Sequence, residues 1–316
     1  MEDLADQFKN RTILVIGDLI LDEYIFGDIT RMSPEAPKTP VILIRDRKYV
    51  LGGAANVANN IVSLGGKAIL LGELGNDGNG EIFRGLLRKA GIINRTFVSI
   101  ERPTTIKTRV FYDGRQIARI DAEKTAPLCR AELKQFAVAL QSIQRKIDFV
   151  VISDYAKGMF SKATREIILE RFSGEKILAD PKPIHKDLVR HLRLITPNLK
   201  ETSAMAGVSL KRHDGIRAAI RTLARELDTS ILATMGHEGM MLCNKKGLDI
   251  HRIPPPRVRA VDVTGAGDVA TAACALALAS GVSLAGAAHL ANLTASISVT
   301  KQGTATVTLA ELRKSR

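Results

Sequence analysis

The sequence predicts an α/β fold, a doubly wound and mainly parallel sheet with helices on both faces. Short β-branched runs alternate with longer runs whose apolar residues recur at three- and four-residue spacing, almost to the end of the chain. Such alternation builds a parallel sheet covered by helices, whose ligands bind at the carboxyl ends of the strands. The 316 residues, 45% of them hydrophobic, are enough for one large core.

The strands and helices can be read in chain order. Six buried runs predict strands: RTILVIGD, KAILLGELG, DFVVISDY, KILADPKP, LRLITPN and SILATMGHEG. Three amphipathic runs predict helices: GNGEIFRGLLRKAGI, RAELKQFAVALQSIQRKI and GIRAAIRTLARELD. The uncharged run ATAACALALAS stops after about half of the ~20 residues that a bilayer helix needs. It therefore predicts a buried core helix, and no membrane is expected as a partner.

Two segments interrupt the alternation, at about 22–50 and 104–121. Both read as short alternating strands, and the second turns at Asp113-Gly114, a pair typical of a hairpin. Together they predict a small β-sheet that covers a site as a lid. With no internal repeat or low-complexity linker, residues 1–316 are expected to form a single domain that carries this lid.

The net charge of +13 leaves nucleic acid, an anionic membrane surface and small anionic substrates open as partners. The lysines and arginines are spread along the chain, and only 4% of the residues are aromatic. A platform for stacking bases needs aromatic residues among the basic ones. The composition therefore argues against nucleic acid and favours a small anionic substrate.

The three cysteines, Cys129, Cys243 and Cys274, lie far apart and form no C-x-x-C pair. Neither a disulfide framework nor a zinc site is indicated, and the six histidines show no H-x-x-x-H pattern. The amino-terminal residues lack the basic-then-apolar layout of a secretory signal. These observations predict a cytoplasmic location.

The segment DVTGAGD (residues 262–268) carries the strongest chemical signal. The P-loop pattern G-x-x-x-x-G-K-[ST] is absent, and GAGDVA lacks the early position and the following acid of a dinucleotide fingerprint. A helix that starts at about Gly267 would instead direct the N–H groups of residues 265–268 at one anion. Asp268 beside a bound phosphate could take the proton of an attacking hydroxyl. The alternative is a glycine turn, capped by Thr264 or Asp268, before a core helix.

Together with GGAANVA (residues 52–58), this segment resembles the paired signatures of the ribokinase-like carbohydrate kinases, over about residues 13–312. The resemblance implies a ribokinase-like fold with a β-sheet lid, ATP as phosphoryl donor and Mg²⁺ as a helper. It leaves a monovalent cation possible. It also implies that Asp268 is the catalytic base, and that Gly265, Ala266 and Gly267 form the anion hole.

The resemblance implies a sugar site near the lid, formed by Asp18, Asp22, Gly52, Gly53 and Asn56. Either aspartate alone could equally be a turn residue. The glycines before a helix could also serve helix–sheet packing. Only together with the downstream motif do these residues favour close approach of a sugar to the backbone.

The nucleotide side is implied by further matches. Asn198 and Glu201 resemble the pair that orders metal-bound water near the phosphates, although a plain N-cap with its N3 glutamate looks the same and is favoured by the residues alone. The resemblance also implies contacts of the nucleotide with Thr234, Gly236, Gly239, Thr264 and Asn292.

Within the family, GDLILDEYIFGDITRMSPEAPKTPVI, SDYAKG, DPK and TPNLKE resemble the kinase domain of bacterial heptose 7-phosphate kinases. The implied reaction phosphorylates the anomeric hydroxyl of D-glycero-β-D-manno-heptose 7-phosphate, in the synthesis of surface polysaccharide. A substrate that already carries a phosphate needs a second cationic pocket. The basic residues available for it are Lys107, Arg109, Arg119 and Lys157.

In many bacteria this domain is fused to a nucleotidylyltransferase marked by H-x-G-H, which these 316 residues lack. We therefore expect the next step to belong to another protein. Three alternatives stay open: a ribokinase-like kinase of another sugar, sugar phosphate or nucleoside, a non-catalytic binding or regulatory protein with this fold, and a basic nucleic-acid binder. Similar kinases often pair through the lid, so a homodimer is a possible partner arrangement.

Overall fold

The computed structural model describes residues 2–36, 38–208 and 213–315. Pro37, within the first predicted lid segment, lies outside the described residues, as do Met1 and Arg316 at the ends of the predicted domain. The α-helices are α1 (Glu2–Lys9), α2 (Ala54–Ser63), α3 (Gly78–Lys89), α4 (Arg130–Gln141), α5 (Lys162–Arg171), α6 (Leu199–Ala206), α7 (His213–Leu227), α8 (Ala266–Ala279), α9 (Leu284–Ser298) and α10 (Leu309–Lys314). Short 3₁₀ helices span Gly174–Lys176, Pro183–Val189 and Gly236–Glu238.

The strands follow in chain order. They are β1 (Thr12–Gly17), β2 (Leu19–Met32), β3 (Pro40–Gly53), β4 (Lys67–Leu71), β5 (Glu73–Gly75), β6 (Ile93–Asn94), β7 (Phe97–Ser99), β8 (Ile106–Tyr112), β9 (Arg115–Ala122), β10 (Phe149–Ser153), β11 (Ile177–Asp180), β12 (Leu194–Ile195), β13 (Ser230–Thr234), β14 (Met240–Cys243) and β15 (Ile250–Ile253).

The central sheet confirms the predicted doubly wound α/β fold. Its nine strands run in the order β15-β14-β13-β12-β11-β10-β1-β4-β6. Neighbours from β13 to β6 pair in parallel, while β14 pairs antiparallel with both β13 and β15. The sequence patterns did not reveal this antiparallel edge.

Both faces of the sheet are buried, as a parallel sheet requires. Along β1, Ile13 and Val15 join one apolar cluster, whereas Leu14 and Ile16 join the other. Residues of α2, α8 and α9 complete the first cluster, and residues of α4, α5 and α7 complete the second. Helices therefore cover both faces, as predicted.

A second sheet of four strands, in the order β3-β2-β8-β9, contains the two predicted lid segments. β2 begins at Leu19, two residues after β1 ends, so this sheet grows directly from the central one. The turn between β8 and β9 has positive φ at both Asp113 (48°) and Gly114 (71°), as a two-residue hairpin of type I′ needs. That this sheet acts as a lid stays a prediction.

Helix α8 runs through the first apolar cluster. It carries no charged residue after Asp268, and its ten residues from Asp268 to Ala277 are all buried. Burial raises the pKa of the Cys274 thiol in this helix to about 12. The prediction of a buried core helix is confirmed, and no helix in the described ranges has the length and apolar character needed to cross a bilayer.

Candidate active site

The loop before α8 is built around Asp262. Its Oδ1 accepts hydrogen bonds from the backbone N–H and the hydroxyl of Thr264, at 2.9 and 2.7 Å. Its Oδ2 accepts from the N–H of Gly303, at 2.9 Å, in the turn that precedes α10. These bonds hold the pKa of Asp262 below its usual value despite partial burial. Asp262 therefore holds the loop in place. Asp268, by contrast, lines the cavity.

Helix α8 starts one residue earlier than predicted, at Ala266, with Gly265 as its N-cap. Gly265 lies in the left-handed region, with φ 78°, and a Cβ there would lie 2.8 Å from Nδ2 of Asn56. No side chain caps this helix within the described ranges. A glycine is thus required by both the backbone conformation and the available space.

Three N–H groups at this end, those of Gly265, Gly267 and Asp268, have no acceptor among the described residues. The N–H of Ala266 differs from the prediction, because it donates to the carbonyl of Val263 at 3.3 Å. Unpaired N–H groups and the helix dipole together favour an anion at this position. Their role as an anion hole stays a prediction.

Asp268 is buried, and both of its carboxylate oxygens accept hydrogen bonds. Nδ2 of Asn56 donates to Oδ2 at 2.7 Å, and the hydroxyl of Tyr155 donates to Oδ1 at 2.8 Å. Burial raises the pKa of Asp268 to about 6, and the two hydrogen bonds oppose that rise. A carboxyl group with this pKa is largely ionised at neutral pH and able to accept a proton.

Tyr155 is a residue of this site that the sequence did not single out. It follows β10 in the segment SDYAKG, where the sequence drew attention to the acid and the lysine. It contacts Asp268 across 113 positions of the chain. The available signal was its place directly after the carboxyl end of a central strand, where ligand-facing residues gather.

One cavity of about 330 Å³ brings many of the predicted residues together. Its lining residues are Ile20, Asp22, Gly52, Gly53, Lys107, Arg109, Arg119, Tyr155, Lys157, Thr264, Gly265, Asp268 and Thr304. The lid strands, the loop after β10 and the start of α8 all contribute. Gly52 lies against Asp22, and a Cβ at that glycine would come within 2.3 Å of Oδ2 of the aspartate. The carboxylate therefore depends on the glycine for its space.

The basic residues of the cavity are each paired with an acid. Lys107 and Lys157 both bind Glu123, with nitrogen–oxygen distances of 3.3 and 2.6 Å, and Lys107 also binds Asp121 at 2.8 Å. Arg119 binds the same Asp121 at 2.6 Å.

Arg109 forms a short ion pair with Asp22, 2.5 Å between nitrogen and oxygen. Three lid cations and Lys157, from the loop after β10, thus line the cavity, and three carboxylates, those of Asp22, Asp121 and Glu123, pair with them. Among the carboxylates, Asp121 and Glu123 were not among the predicted site residues, although the cross-strand pair Lys107–Asp121 places one of them opposite a predicted lysine.

Asp18, which the sequence predicted as a sugar contact, accepts hydrogen bonds from the backbone of a neighbouring loop, and its contact with a sugar stays a prediction. Its side chain is 2% exposed and accepts three backbone hydrogen bonds, from the N–H groups of Tyr155, Lys157 and Met159, at 2.7 to 3.0 Å. Asp18 ends the turn between β1 and β2 beside the loop that follows β10. It therefore shapes that loop and does not line the 330 Å³ cavity.

Asn198 and Glu201 form the capping box that the residues alone favoured. Oδ1 of Asn198 accepts from the N–H of Glu201 at 3.0 Å, and Oε2 of Glu201 accepts from the N–H of Asn198 at 2.9 Å. Oε1 of Glu201 also binds Nζ of Lys182 at 2.5 Å. Burial, and then the charge of Glu201, raise the pKa of neighbouring Asp180 to about 8. This cap leaves Nδ2 of Asn198 and the outer lone pairs of Glu201 for further contacts.

The described residues contain no cluster of three or more His, Cys, Asp or Glu side chains that could hold a metal directly. A Mg²⁺ ion would therefore take most of its ligands from water and phosphate oxygens, as Mg²⁺ commonly does in kinases. Glu201 and Asn198 fit such an arrangement, because they offer oxygen and amide groups that can bind coordinated water.

The remaining predicted nucleotide residues do not line the cavity that contains Asp268. Thr234 ends β13 and bridges to Asn198, which places it beside the capping box. Gly236 (φ 60°) has open space around it, whereas a Cβ at Gly239 would collide with the carbonyl oxygen of Ile253 at 2.1 Å. Nδ2 of Asn292 donates to the carbonyl of Pro254 at 2.8 Å. Their contacts with a nucleotide stay predictions.

A buried carboxylate beside an uncapped helix N-terminus, at the carboxyl edge of a doubly wound sheet, fits a phosphotransferase that acts on a hydroxyl acceptor. The family comparison gives the same class. The profile described as "pfkB family carbohydrate kinase" matches residues 10–311. The chain belongs to this family, whose members use ATP as the phosphoryl donor.

Curated relatives match nearly the whole chain. "Bifunctional protein HldE" of Gluconacetobacter diazotrophicus is 39% identical over 310 residues, which cover 96% of this chain and 63% of that protein. "Bifunctional protein HldE" of Caulobacter vibrioides is 39% identical over 317 residues, covering 98% and 64%. The chain thus spans less than two thirds of the length of these relatives.

Solved structures confirm the fold. Phosphofructokinase-2 from Escherichia coli, in complex with potassium, superposes with a TM-score of 0.80 and 20% identity, covering 96% of this chain and 97% of that one. Arabidopsis thaliana ribokinase, complexed with ribose and ATP, gives a TM-score of 0.72 and 20% identity, covering 96% and 98%. At this identity the two structures establish the ribokinase-like fold alone.

Proposed function

We propose that this protein transfers the terminal phosphoryl group of ATP to the anomeric hydroxyl of D-glycero-β-D-manno-heptose 7-phosphate. The observation that carries the proposal is the 330 Å³ cavity, which joins Asp268 to four basic side chains. A sugar phosphate needs these two features together, a base for one hydroxyl and cations for a distant phosphate. The match of nearly the whole chain to relatives named "Bifunctional protein HldE", at 39% identity, supports the choice of sugar that the sequence resemblance implies.

In the proposed reaction, Asp268 accepts the proton of the anomeric hydroxyl as the sugar oxygen forms a bond to the γ-phosphorus. The bond between that phosphorus and the bridging oxygen breaks, and ADP leaves with the bonding electrons. The N–H groups of Gly265, Gly267 and Asp268 would stabilise the charge on the transferring group. Asp22 and the backbone at Gly52 and Gly53 would orient the sugar, with Asn56 supporting the base.

The ion pairs of the lid point to the site of the distal phosphate. Lys107 and Lys157 converge on one carboxylate, that of Glu123, so a second anion at the same place could bind both lysines. Arg109 instead pairs with Asp22 near the sugar-binding glycines. We therefore propose Lys107 and Lys157 as the main phosphate ligands, with Arg109 and Arg119 at the rim.

For the nucleotide, we propose that Thr264, Thr234, Gly236 and Gly239 line the path of the phosphates and that Asn292 lies near the adenine. Glu201 and Asn198 would hold water bound to Mg²⁺, which neutralises charge on the phosphates when it is bound. A potassium complex of a structural neighbour supports testing a monovalent cation. The cytoplasmic location stays a prediction.

We also propose a homodimer through the lid. Apolar side chains are exposed on this sheet, among them Met32 (57%), Leu43 (61%) and Ile120 (61%). Exposed apolar patches mark interaction surfaces. Light scattering of the protein and of a Leu43→Glu variant tests the proposal, because pairing through the lid predicts a dimer for the first and a shift to monomer for the second.

The test of function is ADP release with Mg-ATP and a panel of heptose 7-phosphate, fructose 6-phosphate, ribose and adenosine. We expect heptose 7-phosphate to give the highest kcat/KM, by at least about tenfold over ribose and adenosine, since these two lack the phosphate and one lost charged contact costs about that much. Lys107→Met and Lys157→Met should raise KM for the heptose phosphate more than KM for ATP. A preference for another acceptor would keep the kinase and overturn the proposed sugar.

A further inference from the structure

Several contacts hold the backbone and the ring of Tyr155 in place. Its N–H donates to Asp18 at 2.7 Å, and the next residue, Ala156, has a positive φ of 55° and donates to Asp154 at 2.8 Å. Nζ of Lys182 lies 5.2 Å from the centre of the Tyr155 ring, a cation–π contact. Contacts to both the backbone and the ring thus hold Tyr155, and its hydroxyl donates to Oδ1 of Asp268 at 2.8 Å.

The carboxylate of Asp268 is consequently held from two sides. The hydroxyl of Tyr155 binds Oδ1, and Asn56 binds Oδ2. Asn56 is held in turn by Asn60, whose Nδ2 donates to Oδ1 of Asn56 at 3.2 Å. Each carboxylate oxygen keeps a further lone pair for an incoming hydroxyl.

We propose that Tyr155 is a positioning residue, whose hydroxyl fixes the plane of the Asp268 carboxylate and stabilises its ionised form. This inference rests on the proposed phosphotransfer. Tyr155 keeps its own proton throughout, and the proton of the acceptor hydroxyl goes to Asp268. Without the hydroxyl, the carboxylate would be held from one side only, by Asn56, and would bind its proton more tightly.

The electrostatics of the site support this division of roles. Burial and the charge of Asp268 raise the pKa of Tyr155 well above its usual value, so that it acts as a donor only. The other charged groups that face Asp268 or Tyr155 are Asp22 from β2, Asp180 from β11 and Lys182 from the loop after β11. Burial and the charge of Asp22 favour the protonated form of Asp268, whereas the hydrogen bonds from Asn56 and Tyr155 and the charge of Lys182 favour its ionised form.

The test is the pH profile of kcat for Tyr155→Phe, which removes one hydroxyl and keeps the ring. The apparent pKa of the acidic limb should rise by about one to two pH units, because the ionised carboxylate of Asp268 loses a hydrogen bond. The variant should be about tenfold slower than the parent at pH 6 and within about threefold of it at pH 9. Tyr112→Phe, at a partly exposed position outside the cavity, is the matched control and should leave the profile unchanged.

A merely structural role predicts another result. The rate would then fall by the same factor at every pH, and this outcome would overturn the inference. If the phenylalanine variant does not fold, site-specific 3-fluorotyrosine at position 155 replaces it. This stronger hydrogen-bond donor should move the limb to lower pH, and an unmoved limb counts against the inference.

A second measurement separates this inference from the proposed function. The carboxyl ¹³C resonance of Asp268 reports its titration without turnover, and it should shift to higher pH in Tyr155→Phe. If the parent protein phosphorylates no acceptor, the proposed function fails, and the NMR titration alone decides whether Tyr155 controls Asp268. If the parent is active and both titration and rate profile are unmoved, only the role of Tyr155 fails.

Discussion

Helices α6 and α8 begin close together at the carboxyl edge of the central sheet, and their first turns are completed in opposite ways. Thr196, just before α6, lies 3.2 Å from Thr271 in α8. At α6, Asn198 and Glu201 satisfy each other's backbone N–H groups. At α8, Gly265 offers no side chain, and the N–H groups of Gly267 and Asp268 in the first turn lack acceptors within the described ranges.

At this edge of the sheet, the capped start of α6 therefore serves stability, whereas the uncapped start of α8 is available to bind a ligand. A capped N-terminus stabilises its own helix, because its N–H groups have acceptors. An uncapped N-terminus that is otherwise well packed keeps its N–H groups for a ligand. The ten buried residues of α8 hold it in place without a cap. We therefore expect substitutions at α8 to affect chemistry first, and substitutions at α6 to affect folding first.

The largest effect is expected for Asp268→Asn. Loss of the base at the uncapped helix should lower kcat by about 10²–10⁴-fold, the usual contribution of general base catalysis. ADP release at saturating substrates measures it. ATP binding by calorimetry and the circular dichroism spectrum should match the parent protein. A variant within about tenfold of the parent would show that Asp268 is not the base.

The same variant gives a pH test of stability. Burial raises the pKa of Asp268 from 3.8 to about 6, so the folded protein binds this proton more tightly than the unfolded chain. The stability that comes from this proton is present below about pH 4 and is lost as the pH rises to about 6 and above. Relative to Asp268→Asn, the parent should lose about 3 kcal/mol across this window.

Urea unfolding of both proteins at several pH values between 4.5 and 8 measures this difference. The two free energies of unfolding should diverge as the pH rises, in favour of the asparagine variant, and the gap should stop growing above about pH 7. If the free energies of unfolding of the two proteins ran parallel with pH, Asp268 would titrate at an ordinary pKa. The buried start of α8 would then not differ electrostatically from the start of α6.

Gly265→Ala tests the uncapped turn itself. The left-handed φ and the contact with Asn56 should cost about 1–2 kcal/mol of stability and about 10²-fold in kcat. Gly267→Ala is the matched control for stability, since its Cβ would meet no atom within 4 Å. It should gain up to about 1 kcal/mol from helix propensity. Equal stabilities of the two variants would show that the Gly265 conformation carries no strain.

The smallest effect is expected at α6. Asn198→Ala should lower the free energy of unfolding by about 1 kcal/mol, the usual value of an N-cap. It should also raise the Mg²⁺ concentration needed for half-maximal rate. Ser161→Ala removes the cap of α5, away from the cavity, and should destabilise without that second change. The same Mg²⁺ dependence in both variants would restrict Asn198 to capping.

The fold and the loop at residues 262–268 could be predicted because short stretches of sequence indicate both. Buried runs give the strands, and residues 262–268 combine two glycines with two acids. The antiparallel strands β14 and β15 were missed, since MMLC and IHRI are too short to show a period. Their place at the edge of the sheet is decided by tertiary pairing.

The partners of the site residues were the least predictable part. Nothing in the sequence indicated that Asp18 accepts hydrogen bonds from three N–H groups of the loop after β10. Tyr155 reaches Asp268 only because β10 and α8 pack together. Glu123 follows β9 and has no motif of its own. Contacts between segments far apart in sequence depend on packing, which local patterns do not encode.

The burial of Cys274, six residues after Asp268, provides the protein with an internal reporter. A thiol whose pKa is raised to about 12 and whose side chain is fully enclosed reacts with an alkylating reagent only when α8 separates from its neighbours. Cys129 is exposed and provides the reference rate on the same chain. The labelling half-life of Cys274 would therefore measure how often the helix that carries Asp268 opens, and bound nucleotide and sugar should lengthen it.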